Sequence, residues 1–202
     1  GGGAWQAKKA KLKERIRDMA EKLIRVAAER ALRTAPKFSP PDMLWEEFCA
    51  KFPYEETEDQ LRAIEDVMED LTEGRPMDRL ICGDVGFGKT EVAMRAAFIA
   101  AMSGVQVALI CPTTLLARQH AKGFQERFAG TPLVVRQLSR FVGNKEAAET
   151  KEGPARGTVD IVIGTHALLA KNIEFKNLGM LIIDEEQHFG VAHKERLKRL
   201  RS

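Results

Sequence analysis

Gly83, Gly86 and Gly88 frame an octet, Gly83-Asp84-Val85-Gly86-Phe87-Gly88-Lys89-Thr90, set between a short apolar run and a helix-like one. Glycine gives up the most backbone freedom on folding, so three of them imply that something must approach this main chain closely. The order G-x-x-x-x-G-K-[ST], after a strand and before a helix, lets successive N–H groups from Gly83 through Thr90 turn inward around a phosphate. The helix that follows adds its N-terminal dipole. In that arrangement Lys89 is a point charge for the outer phosphates, and the Thr90 hydroxyl is a ligand for Mg²⁺.

A second constellation completes the chemistry. Leu181-Ile182-Ile183-Asp184-Glu185-Glu186 is an apolar run that ends in acids. Asp184 would hold Mg²⁺ through its water shell, and Glu185 would orient or deprotonate an attacking water. The two motifs together predict a pocket for a magnesium-chelated nucleoside triphosphate, with Lys89, Asp184 and Glu185 as the catalytic candidates.

Such a pocket needs a scaffold. From residue 79 short apolar runs alternate with helical stretches. Strands are predicted at 79–82, 106–111, 133–138, 160–163 and 180–184, and helices at 89–102, 115–128 and 144–150. The strands are apolar throughout rather than alternating, so both their faces should be covered. This predicts an α/β fold with a doubly wound, mostly parallel sheet. Upstream, residues 4–33 read as one long helix whose Leu12, Ile16, Met19, Leu23 and Val26 form one stripe. Pro36 to Pro41 mark a linker, followed by a short helix with Leu44, Trp45 and Phe48, which Asp42 could cap. Thr57 and Gln60 have capping-box spacing before a helix that reaches about Leu71, with Leu61, Ile64, Val67, Met68 and Leu71 facing inward. The expected organisation is a long basic amphipathic helix at 1–35, a linker with a short helix at 36–51, and the α/β lobe at 52–202.

Composition narrows the class. No apolar run approaches the roughly 20 residues that span a bilayer, and no charged-then-apolar leader opens the chain. Cys49, Cys82 and Cys111 lie far apart with no metal-ligand spacing, so they read as reduced thiols. A cytoplasmic protein with no membrane partner is expected. The net charge of +3 is unevenly spread: the first 33 residues are basic, residues 46–73 are acidic, and residues 194–201 are basic again. That asymmetry admits a nucleic-acid partner, and solvated helix faces account for it equally well.

Five stretches carry a family resemblance. The octet with Asp184-Glu185 resembles helicase superfamily 2. Phe52-Pro53 with Thr57 and Gln60 resembles that family's Q-motif, which implies a role for Phe52 and Gln60 at the adenine. Pro112-Thr113-Thr114-Leu115-Leu116-Ala117-Arg118-Gln119-His120 resembles motif Ia, and Gly164-Thr165-His166-Ala167-Leu168-Leu169 resembles motif Ib. The resemblance implies that Thr113, Thr114, Arg118, Gln119, Gly164, Thr165 and His166 grip one DNA strand by its phosphates. Hydroxyls, amides and helix N-termini suit that task without reading sequence. As plain helix caps, Thr113, Thr114 and Thr165 need no ligand. With Ser139-Arg140-Phe141 and the run from Asp184 to Lys198, the chain looks like the first RecA-like motor lobe of the bacterial transcription-repair coupling factors. The RecG fork-reversal helicases share part of the pattern.

This resemblance implies ATP and Mg²⁺ as ligands, double-stranded DNA as a backbone-gripped track, and Ser139 and Arg140 among the DNA contacts. Gln187 and His188 would couple nucleotide state to DNA grip, although His188 stands where Arg is expected. RNA polymerase and excision-repair proteins would be partners through other regions. The N-terminal helix resembles a relay helix, or serves as a scaffold covering the sheet. Neither motif III nor a second lobe with an arginine finger occurs by Ser202. The chain alone is therefore expected to bind ATP–Mg²⁺ weakly and to hydrolyse it very slowly. A non-catalytic, ATP-dependent DNA-binding switch is the alternative class.

Overall fold

In the computed structural model of the protein, the described residues are 2–31, 42–72, 79–83, 90–138, 153–155, 157–170, 175–185 and 198–201. They form one sheet of six strands: β1 (Arg79–Gly83), β2 (Gln106–Cys111), β3 (Val135–Leu138), β4 (Ile161–Thr165), β5 (Leu178–Asp184) and β6 (Lys198–Arg201). The order is β3-β4-β2-β5-β1-β6. The first five strands are parallel, and β6 alone runs antiparallel, against β1. The expected doubly wound, mostly parallel sheet is therefore present. The basic run near residue 198 contributes a strand that its charge had disguised.

Strand parity sorts the core into two layers, because successive side chains point to opposite faces. Val107, Leu109, Ile161, Ile163, Met180 and Ile182 pack with α4 (Thr90–Met102) and α5 (Thr114–Phe128). Ala108, Ile110, Val162, Leu181 and Ile183 face the other way, toward Ala20 and Ile24 of α1 (Gly2–Ala31) and Leu168 of α6 (Ala167–Ala170). β2 and β5 are buried along their whole length, as continuous apolar strands require.

On the α4/α5 side, α2 (Asp42–Ala50) is anchored by aromatic contacts. The Phe48 ring stacks on Phe98 at 4.4 Å and meets Phe128 edge-on at 4.9 Å, while Trp45 lies 5.9 Å from Phe98. Each side chain of this size, when fully buried, contributes about 1.5–3 kcal/mol. α3 (Glu58–Thr72) then packs on α4 through Ile64 and Met68.

Two expected faces are present but each leaves one leucine exposed. On α1 the buried line is Ala20 and Ile24, flanked by Ile16 and Leu23, while Leu12 is 50% exposed. The sheet face takes a narrower stripe than the apolar pattern offers. On α3 Ile64 and Met68 pack inward as expected, while Leu61, one turn before Ile64, is exposed. The expected inward Val67 and Leu71 lie outside the described side chains, and the expected helix at 144–150 and the linker at 36–41 lie outside the described residues.

The amino-terminal edge of the sheet is closed by polar stitching. Buried Gln106 donates from Nε2 to the carbonyls of Pro154 (2.8 Å) and Val159 (2.9 Å), and its Oε1 accepts from Asn177 N at 2.8 Å. Asn177 Nδ2 in turn donates to the carbonyl of Gly104, whose φ of +96° suits a residue without Cβ. Gly83, Asp184 and Thr165 stand at the opposite ends of their strands.

Candidate functional site: a nucleotide-type pocket at the carboxyl edge

Register brings the motifs together. Gly83 at the end of β1 pairs with Asp184 at the end of β5, which joins the start of the glycine-rich octet to the acidic motif. On the other side of β5, Cys111 at the end of β2 pairs with Thr165 at the end of β4, and Gly164 pairs with Leu138 of β3. The carboxyl ends of parallel strands are where open α/β sheets place their ligands.

The two acids at the end of β5 diverge. Asp184, on the α4/α5 face, is hydrogen-bonded to the His120 ring at 3.1 Å. Cys111 Sγ, a His120 nitrogen and an Asp184 oxygen lie within 4.8 Å of one another. Glu185 points to the α1 face. Arg17 donates to both its oxygens, from Nε and Nη2, and Lys13 Nζ lies 3.0 Å from Oε2. Burial alone would raise the Glu185 pKa, but the hydrogen bonds from Arg17 and Lys13 outweigh it and hold the carboxyl below its ordinary value. The parity that splits the core thus also splits the acids, and α1 reaches the site with two cations.

Around the octet, Thr90 opens α4 and Glu91 follows it into the core. Upstream, the expected capping box is formed: Thr57 N donates to Gln60 Oε1 at 2.9 Å, and Gln60 N donates to Thr57 Oγ1 at 3.1 Å. The Gln60 side chain is thereby oriented by its own helix start. Phe52 meets Tyr54 edge-on at 5.7 Å and carries the Arg95 guanidinium 5.8 Å from its ring centre.

At the motif Ia turn Thr113 has extended backbone angles, and its hydroxyl accepts from Leu116 N at 3.2 Å, a true N-cap of α5. Thr114 begins the helix, and Arg118 and Gln119 are exposed on its outer side. At the motif Ib turn Thr165 Oγ1 accepts from Ala167 N at 3.4 Å, and His166 is exposed. Gly164 is required by space: a Cβ there would lie 2.9 Å from the Leu138 carbonyl and 2.8 Å from Leu168 Cδ1.

Asp84, Val85, Gly86, Phe87, Gly88 and Lys89, together with Ser139, Arg140, Gln187 and His188, lie outside the described residues. Three residues near the site were not singled out by their sequence context. His120 sat inside the motif Ia stretch, and its place on the buried stripe of Ala117, Ala121 and Phe124 was a usable signal. Lys13 and Arg17 read as part of a solvated basic helix, and nothing local distinguishes them from Lys8 or Arg15.

The donors present suit a magnesium-chelated phosphate. A hydroxyl at Thr90 and a buried carboxylate at Asp184 are hard oxygen ligands of the kind Mg²⁺ takes. Among the described residues no helix is long and apolar enough to cross a membrane.

Comparison with known proteins agrees with this geometry. The transcription-repair-coupling factor of Bacillus subtilis (strain 168) is 53% identical over 202 residues, a match that takes in 100% of this chain and 17% of that protein. Its counterpart in Rickettsia prowazekii (strain Madrid E) is 54% identical over 206 residues, covering 100% of this chain and 18% of that protein. This chain therefore spans less than a fifth of the length of these curated relatives. Among solved structures, RecG bound to a three-way DNA junction matches with a TM-score of 0.66 at 35% identity, over 90% of this chain and 25% of that one. The DEAD/DEAH box helicase model matches residues 57–202, from the capping box through every strand of the sheet, and the chain belongs to the DEAD/DEAH box helicase family.

Proposed function

We propose that this chain is the ATP-binding lobe of a superfamily 2 double-stranded DNA translocase, with Lys89, Asp184 and Glu185 as its catalytic residues and Thr90 and Asp184 on the Mg²⁺ side. The observation that carries this reading is the pairing of Gly83 with Asp184 at one end of the sheet, beside the pairing of Cys111 with Thr165. The first pairing sets Gly83, the residue that opens the octet, beside a buried carboxylate. The second sets two capped turns side by side, as a backbone-gripping groove needs.

In this reading residues Gly83, Asp84, Val85, Gly86, Phe87 and Gly88 present main-chain amides to the triphosphate, and Phe52 and Gln60 meet the adenine. Bound Mg²⁺ supplies positive charge against the phosphate oxygens. Asp184, held by His120, keeps its carboxylate turned to the α4 side, where Thr90 lies. Glu185 acts on water once its carboxylate is released from Arg17 and Lys13. Thr113, Thr114, Arg118, Gln119, Ser139, Arg140, Gly164, Thr165 and His166 line the DNA track, and Gln187 and His188 link it to the nucleotide.

The likeness to transcription-repair-coupling factors supports a cytoplasmic motor that displaces stalled RNA polymerase and recruits excision repair through other regions. The likeness to RecG on a three-way junction supports a second reading, a fork remodeller with the same nucleotide chemistry. Nucleotide titration of the Lys89→Ala variant tests the site. Loss of ATP–Mg²⁺ binding is expected, and unchanged affinity would overturn the assignment. DNA binding by the lobe should be indifferent to sequence and fall steeply with salt; base preference without a salt slope would remove motifs Ia and Ib from the track.

A further inference from the structure

Glu91 is 4% exposed, Arg95 5% and Arg127 9%, yet neither Mg²⁺ nor phosphate chemistry asks for an ionic cluster at this depth. The cluster is fully connected. Arg127 Nη1 and Nη2 donate to the two Glu91 oxygens, and Arg127 Nε and Nη2 donate to the Phe48 carbonyl at 3.1 and 2.7 Å. Arg95 Nε donates to Glu91 Oε2 at 2.7 Å, and Arg95 Nη2 donates to Glu56 Oε1 at 2.6 Å. The same Arg95 guanidinium lies against the Phe52 ring.

The chain of contacts has direction. Glu91 is the residue after Thr90, in the first turn of the helix that the phosphate cradle leads into. Glu56 directly precedes the capping box of Thr57 and Gln60. Arg95 therefore joins the first turn of α4 to Phe52 at the start of the segment from Phe52 to Gln60 and to Glu56 at its middle, the residue before the capping box. The guanidinium is planar and forked, so it fixes two carboxylates and one ring in a single geometry, which an ammonium does not.

We infer that Arg95, steered by Glu56 and Glu91, is a positioning residue for nucleobase selection: it ties the Phe52–Gln60 segment to the first turn of α4, so that a purine with an adenine edge is favoured over the bare triphosphate. This rests on the ATP reading above and deepens it. The role is confined to the base. The phosphate and metal contacts come from the octet and from Asp184, whereas the hydrogen bonds of Arg95 go to Glu91 and Glu56.

The test uses the 202-residue chain and three probes: ATP, GTP and inorganic triphosphate, each with Mg²⁺, by calorimetric titration. Glu56→Gln is the chosen variant because its side chain is 30% exposed, so the fold tolerates the change. Removing one charge-assisted hydrogen bond should weaken ATP by about tenfold, leave inorganic triphosphate unchanged, and narrow the ATP-to-GTP ratio. Arg95→Lys should do the same with the thermal midpoint monitored, and Glu56→Asp should restore part of the ratio. If ATP and inorganic triphosphate weaken together, or if the ratio stays at its wild-type value in both variants, the inference is overturned while the nucleotide reading stands. If the wild-type chain binds neither ATP nor inorganic triphosphate, the nucleotide reading falls and takes the inference with it.

Discussion

Glu91 and Glu185 are each held by two basic side chains, and the difference between the two grips lies in who else is buried. Around Glu91 every partner is inside: the side chains of Arg95 and Arg127 are 6% and 9% exposed, and the Phe48 carbonyl shares the donors. Around Glu185 only the carboxylate is inside, at 3%, while Lys13 and Arg17 remain 28% and 29% exposed on a single helix. The first cluster is stitched from α2, α4 and α5, so opening it means dismantling the cover of one sheet face. The second hangs on α1 alone, and water reaches its cations. A buried ion pair opens at great cost when both partners are deep, and far more easily when one side is already wet.

The largest expected effect breaks the first grip. Glu91→Ala takes from Arg127 the carboxylate it is bonded to and leaves Arg95 only the part-exposed Glu56, which should cost about 3–5 kcal/mol. In a domain of this size that lowers the melting midpoint by on the order of 10 °C. Calorimetry checks it, and a midpoint within a degree or two of wild type would remove the contrast. Next comes Glu185→Gln. The fold should persist, with amide exchange rising along residues 2–26 of α1 while the protection of β2 and β5 is kept, because local opening need not involve the core. If β5 loses protection together with α1, the two grips are equivalent after all. In the full-length translocase proposed above, the same variant should abolish turnover while ATP stays bound.

A smaller effect is expected from Lys13→Ala, which removes the outer cation and leaves Arg17 on both carboxylate oxygens. The cost should be below about 1 kcal/mol, as for other part-exposed pairs, and high salt should erase it. The smallest effect concerns pH. The Glu185 carboxyl lies below its ordinary value in the folded protein, the bonds from Arg17 and Lys13 outweighing burial. A depressed carboxylate stabilises the fold above its unfolded value of about 4.3 and stops doing so as the pH falls through the lower folded value. The protection factors along α1, with the intrinsic pH dependence of exchange divided out, should therefore be flat from neutrality down to about that value, and fall only in stronger acid.

Much of the site could be read from local pattern. The Thr57–Gln60 capping box involves residues three apart, so one helix start contains all its atoms. The same holds for Thr113 capping α5, whose hydroxyl accepts from Leu116 N three residues on. Five parallel strands followed from unbroken apolar runs between helices. Leu61 was misread because α3 offers more apolar positions than its contact with α4 can use. β6 was missed because Lys198, Arg199 and Arg201 look like a solvated tail until β1 offers them an edge.

By itself the sequence determined the order of strands and helices, the glycine-rich octet and the acidic pair, because each depends on neighbours within a turn or two along the chain. Which acid faces which helix was decided only in three dimensions. Arg17 meets Glu185 across 168 residues, and no periodicity carries information over that distance. The contact exists because β5 lies between β2 and β1, its alternating side chains send Asp184 and Glu185 to opposite faces, and α1 covers one of them.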